Sequence, residues 1–162
     1  MENTNPSDKP TPIATCHCGR IAITMPSPPK SINECHCSVC YKLGALWAYY
    51  PRAQVAVTTS SPIFPSSSLP ASSEGRPVGV RHITRGINTA VDEALDSYVR
   101  TDLPGGKSNI TFYRCAHCGA LTHHWGASTR RGEDGDGPIT GVNCRLLPEK
   151  EIEGVKRTVT VC

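Results

Sequence analysis

Residues 35–40 read CHCSVC, three cysteines in the spacing C-x-C-x-x-C, and short spacings of the same kind recur as CHC at 16–18 and CAHC at 115–118. Seven of the nine cysteines are gathered into these three knuckles, each short enough to turn its thiolates towards one point. That is metal-ligand spacing. Thiolates so grouped favour zinc, which takes four closed ligands in a structural site and three plus an open position in a reactive one. Seven divides as four and three, so the expectation is two Zn2+ per chain. A disulfide framework would need an oxidising compartment. Met1 to Pro12 (MENTNPSDKPTP) has no basic segment followed by an apolar core, so no secretory signal is read there and a cytoplasmic location is expected.

Working outward from 35–40, Ser31 to Glu34 reads as an extended piece delivering Cys35, and Ser38 to Leu43 as one helical turn before Gly44. Ala45 to Tyr50, with Val55 and Val57, reads as a strand pair. Ile21, Ile23 and Met25 alternate with Ala22 and Thr24 until Pro26, Pro28 and Pro29 intervene. Ile110 and Phe112 alternate with Thr111 and Tyr113, so a strand runs into the knuckle at Cys115. Thr140, Val142, Cys144 and Leu146 alternate in turn, as do Val155, Val159 and Val161. Asn88 to Arg100 suits either a helix or, over Leu95 to Thr101, a strand. Pro104-Gly105-Gly106 marks a turn and Arg130 to Pro138 a loop. The expected fold class is mainly β, a single zinc domain of short antiparallel strands.

Residues 1–12 are expected to form a flexible tail and 13–162 the domain, with a Ser/Pro-rich inserted loop at about 59–88. Ten of the seventeen residues from Thr59 to Gly75 are Ser or Pro, a composition too poor in apolar surface to repay ordering. A chain of 162 residues at 38% hydrophobic content has a modest core of its own, so metal would matter to its stability. The formal charge is +3 and the 17 basic residues are scattered, which does not favour a nucleic-acid partner. No apolar run is long enough for a membrane span. The sequence leaves a homodimer open.

A C-x-C and a C-x-x-C pair together make a closed four-cysteine site, a structural arrangement, whereas the triplet Cys35, Cys37 and Cys40 brings three sulfurs to one ion and leaves a position vacant. Lys42 and Arg52 are the nearest cations in sequence to that triplet, and Tyr41, Trp47, Tyr49 and Tyr50 follow it closely enough to wall a pocket or pack as scaffold. His17, His36 and His117 lie inside knuckles and read as bystanders; His123 or His124 is a candidate proton shuttle. Cys144 reads as buried on a strand, and Cys162 as a free surface thiol.

The strings CHCGRIAI (16–23), CHCSVCYKLGALWAYYP (35–51), YRCAHCGALTHHW (113–125) and GVNCRLL (141–147), in that order, resemble the glutathione-dependent formaldehyde-activating enzyme family, which also contains centromere protein V. The resemblance implies a β-tent fold and a structural zinc on Cys16, Cys18, Cys115 and Cys118. It further implies a second zinc on Cys35, Cys37 and Cys40 as the catalytic centre, acting on a small-molecule thiol such as glutathione. The implied activity is a carbon–sulfur lyase type, forming or cleaving the adduct of that thiol with an aldehyde or other carbon electrophile. The departure lies between Cys40 and Cys115, where 74 residues intervene and the stretch near 60–88 is longer than the family's usual pattern. The competing expectation is a non-catalytic zinc-stabilised interaction module, with the triplet closed by His36, His123, His124, Cys144 or another chain's cysteine.

Overall fold

Along β2 (Ile21–Thr24), Ile21 and Ile23 are fully buried while Ala22 and Thr24 are half-buried, the alternation of a strand with one face on a core. In this computed structural model, which describes residues 11–59, 93–100, 110–126 and 138–161, β2 is the middle of a three-stranded sheet. It pairs antiparallel with β1 (Ile13–Thr15) on one side and β5 (Ala56–Thr59) on the other.

The larger sheet has seven strands. Its spatial order is β10 (Lys156–Thr160), β3 (Ser31–Cys35), β4 (Trp47–Pro51), β9 (Ile139–Asn143), β8 (Leu121–Gly126), β7 (Ile110–Cys115) and β6 (Leu95–Val99). Every neighbouring pair is antiparallel except β3 with β10, which run parallel. Two short helices, α1 (Ser38–Leu43) and α2 (Glu149–Ile152), complete the described elements with two 3-10 turns. The fold is therefore mainly β, as the sequence patterning predicts. No helix among the described residues is long and apolar enough to cross a membrane.

Because side chains alternate along each strand, the seven-stranded sheet has two distinct faces. Ala48, Tyr50 and Val142 on one face join Ile21, Ile23, Met25, Ile32 and Ile152 in the main core. Trp47 and Phe112 on the other face join Ala45, Leu121, Cys37 and Cys40 in a second, smaller core. Each cysteine set thus lies against its own apolar cluster.

Three expectations are corrected in detail and one that the sequence leaves open is resolved. β4 and β5 are both strands, but they belong to different sheets, because the 3-10 turn Arg52–Gln54 redirects the chain between them. The strand expected over 140–146 ends at Asn143, whose side chain accepts from the amides of Leu46 and Arg145 and so turns Cys144–Leu146 into a 3-10 turn. Leu95–Val99 takes the strand alternative, paired with β7. Of the alternating valines near the end only Val159 lies within β10, with Val155 and Val161 flanking it, and Val159 and Val161 are 55% and 78% exposed where β10 forms the edge of its sheet. The expected tail at 1–10, the loop at 60–88, the Pro104-Gly105-Gly106 turn, most of the 130–138 loop and Cys162 lie outside the described residues.

Candidate metal centres

The first and third knuckles are built alike. In each, a glycine follows the last cysteine with positive φ, 72° at Gly19 and 74° at Gly119. That backbone state is open to glycine at little cost. It lets the amide of Gly19 donate to Cys16 O at 2.9 Å and that of Gly119 to Cys115 O at 2.9 Å. The bonds Cys16 N to Ile21 O (3.0 Å) and Cys115 N to Ala120 O (2.9 Å) then close each knuckle onto the strand that follows.

These two turns meet although Cys18 and Cys115 are 97 positions apart. Their sulfurs are 3.7 Å apart, those of Cys16 and Cys18 3.5 Å, and all four sulfurs of Cys16, Cys18, Cys115 and Cys118 lie within 4.8 Å of one another. Sulfurs placed tetrahedrally about 2.3 Å from one ion are separated by about 3.8 Å, so the set lies close to the spacing that one metal ion requires. Cys16, Cys18 and Cys115 are buried and Cys118 half-buried.

The donor chemistry agrees with the geometry. Burial pushes the Cys16 thiol up to about 12, so it does not ionise unaided at neutral pH. Burial also acts against ionisation of Cys118, but amide donors from Ala120 and Cys18, with the Cys18 and Cys115 thiols, outweigh it and bring Cys118 down to about 6. Cys118 thus takes charge more readily than Cys16, and a bound cation would displace the protons such thiols hold.

The second knuckle forms a separate group. Cys35 ends β3, Cys37 caps α1 and Cys40 lies within it, and their three sulfurs also fall within 4.8 Å of one another. No fourth His, Cys, Asp or Glu atom among the described residues joins them. Burial pushes Cys40 up to about 12; at Cys37 burial is outweighed by donation from the amides of Cys40 and Val39 and from the Cys40 and Cys35 thiols, which lowers it. Cys35 is half-buried while Cys37 and Cys40 are 5% exposed, so the group has an inner wall and an outer rim.

Its surroundings reach far along the chain. The Trp47 indole donates from Nε1 to Cys40 Sγ at 3.2 Å, and Arg100 donates from Nη1 to Cys37 Sγ at 4.0 Å. Of the expected neighbours, Trp47 and Tyr50 are buried, Tyr41 and Tyr49 exposed. Lys42 is exposed on α1, and Arg52 stacks over the Trp125 ring at 3.8 Å from its centroid, so neither holds the place that Arg100 occupies. Arg100 escapes a reading by sequence proximity because β6 brings it across 63 positions.

The histidines divide by position. His17 and His117 are exposed within their knuckles, and His36 pairs through Nε2 with the Glu34 carboxylate at 3.1 Å. His123 and His124 sit on opposite faces of β8. The Thr122 hydroxyl donates to Tyr113 O at 2.9 Å and accepts from His123 Nδ1 at 3.0 Å, which fixes the proton on Nδ1 and leaves Nε2 buried without a protein partner. Burial, with the charges of His124 and Arg52, lowers His123 to about 3, and burial lowers His124 to about 4. Both rings are neutral at physiological pH. His124 lies among Trp47, Phe112 and Tyr49 at centroid distances of 4.6, 5.5 and 5.9 Å. Cys144 is fully buried in the main core, with burial raising its thiol to about 11, and it does not join the triplet.

No family model and no curated protein matches the sequence. Among solved structures, the chain is similar to the crystal structure of a Rhodobacter sphaeroides protein determined as a Northeast Structural Genomics target, at 19% identity and a TM-score of 0.51, over 90% of this chain and 99% of that one. At that identity the likeness is one of fold.

Proposed function

We propose that the protein is a zinc-dependent carbon–sulfur lyase-type enzyme of the kind its cysteine strings resemble, binding a small-molecule thiol such as glutathione and forming or cleaving its adduct with an aldehyde or other carbon electrophile. The observation that carries this reading is the contrast between the two cysteine groups: one offers four sulfurs, the other three with no fourth ligand among the described residues. Zinc on three thiolates favours a soft fourth ligand and lets a thiol there lose its proton at neutral pH, although a free thiol has a pKa of about 8.5.

The chain's own part is to hold and moderate the sulfurs. The Trp47 N–H and the amides of Val39 and Cys40 donate to Cys40 and Cys37, drawing charge from those thiolates, while Phe112, Leu121 and Ala45 keep water from the inner side. His36 is engaged through Nε2 with the Glu34 carboxylate at 3.1 Å and is not among the sulfurs' ligand partners. In the forward direction the thiol sulfur bonds to the carbonyl carbon and the carbonyl oxygen gains the proton; cleavage is the reverse.

Zinc per chain, measured on protein purified without added metal and on Cys37→Ser, is the first test. Two ions falling to one with the fold retained supports an independent triplet site, and cobalt-substituted protein should then change its visible spectrum when glutathione is added. One ion in both proteins, or a spectrum indifferent to every thiol, defeats the reading. The competing reading, a zinc-stabilised interaction module, draws on the edge strand β10 with Val159 exposed on it and Val161 exposed just beyond it.

A further inference from the structure

Two polar atoms lie orphaned on the main-core face of the large sheet. Nε2 of His123 and Oγ1 of Thr140 are both fully buried, with no hydrogen-bond partner among the described residues. They belong to neighbouring strands. Between β8 and β9, His123 stands opposite Val142 and Trp125 opposite Thr140, which puts His123 and Thr140 diagonally across one face of the ladder. We propose that these two side chains bind a single internal water molecule, which donates to His123 Nε2 and bridges it to the Thr140 hydroxyl.

The ring specifies what must come to it. Thr122 commits its one hydroxyl hydrogen to Tyr113 O at 2.9 Å and therefore takes the Nδ1 hydrogen of His123 at 3.0 Å. Nε2 is then an acceptor that requires a donor. A buried acceptor without one costs the desolvation of that group, and native interiors rarely keep such atoms unpaired. The Thr140 hydroxyl is a donor on the same face, yet the two groups do not bond directly. Diagonal positions on paired strands stand about 7–8 Å apart, and a short hydroxyl side chain does not close that gap. Two hydrogen bonds of about 2.8 Å through one water do. The lining favours water over a larger solute. His123 stacks on Tyr113 at 4.6 Å between centroids, and Trp125 lies against both rings at 5.2 and 5.0 Å, with Arg52 stacked over Trp125 in turn. Enclosed beneath those rings, two polar atoms suit a molecule that both donates and accepts and has the size of water. The resulting chain of hydrogen bonds, from Tyr113 O through Thr122, His123 and the water to Thr140, ties β7 to β9 across β8. It engages both nitrogens of His123, which makes that ring a fixed crosslink and not a proton shuttle.

The test uses the full-length, zinc-loaded protein. A high-resolution crystal structure should show a density peak about 2.7–3.2 Å from both His123 Nε2 and Thr140 Oγ1. In solution, the His123 Hε1 proton should give a cross-peak to a long-lived water, and Thr140→Val should remove it. Thr140→Val leaves Nε2 without its bridge and should lower the folding equilibrium constant at least about tenfold. The same substitution in a His123→Phe background should cost less than about threefold, since no ring acceptor then remains to be satisfied. A structure without the peak, a Thr140 hydroxyl bonded to Nε2 directly or turned to a backbone carbonyl, or equal costs of Thr140→Val in the two backgrounds would each overturn the assignment. Should His123→Phe not fold, the density and the water cross-peak decide the matter by themselves.

Discussion

Gly141 occupies the point on β9 directly opposite His124, and a β-carbon there would collide with Nε2 and Cδ2 of the imidazole. The ring is itself held on its other sides by Trp47, Phe112 and Tyr49, so it has little room to give. Gly141→Ala should therefore destabilise the fold by about 2 kcal/mol, read as a lower urea midpoint at unchanged slope. His124 carries a further consequence. Its pKa of about 4 in the fold lies below the unfolded value of 6.5, so between those limits the unfolded chain binds protons that the folded one refuses. Stability from this residue is thus complete above about pH 6.5 and declines as the pH falls towards 4. His124→Phe keeps a ring in the aromatic box and should lose part of the drop in urea midpoint between pH 7 and pH 5, with metal content followed alongside to separate ring protonation from acid release of the ion. Trp47→Phe removes one N–H from Cys40 Sγ, and chelator competition should show the triplet ion held roughly tenfold less tightly, the lower end of what outer-shell partners contribute, while the four-cysteine ion is unchanged.

Among the elements, the knuckles and the strands feeding them are the most legible in the sequence. Ile21 and Ile23, or Ile110 and Phe112, show a two-residue period right up to a C-x-C or C-x-x-C, and local spacing is sufficient to define such a unit. Ser38 to Leu43 was equally plain, bounded by the second knuckle and Gly44. What resists reading is assignment between elements. β4 and β5 follow each other in sequence but pair with β3 and β9 and with β2 respectively, and no local pattern reveals that the turn at Arg52–Gln54 exchanges sheets. Valine alternation near the C-terminus reports a strand and says nothing of its burial, which depends on lying at an edge. The site shows the same division: the cysteine sets follow from spacing, whereas Arg100 arrives through sheet order. The paired knuckles also differ in what they support. Cys118→Ser should lower the melting temperature sharply and release the ion that ties the β1–β2 turn to the β7–β8 turn, whereas Cys37→Ser should leave melting nearly unchanged.

For the whole molecule, the four-cysteine set links the small sheet to the large one across the main core. A structural zinc site contributes roughly 10–16 kcal/mol of apparent binding free energy in small peptides, as much as the net stability of an ordinary domain, about 5–15 kcal/mol. Removal of metal by a strong chelator should therefore abolish the cooperative thermal transition and not merely shift it; calorimetry before and after chelation, and again after zinc is restored, checks this. The distance in sequence between the halves of that site also matters before the fold exists. A growing chain exposes Cys16, Cys18, Cys35, Cys37 and Cys40 while Cys115 is still unmade, and at about 5–20 residues per second the interval lasts several seconds. Throughout it, the first two knuckles together offer five thiols and can hold an ion between them in a pairing the finished protein does not use. The timing of metal delivery relative to translation thus becomes part of the protein's biogenesis: chains refolded from denaturant with zinc present from the start should yield less native protein than chains given zinc once the strands have paired.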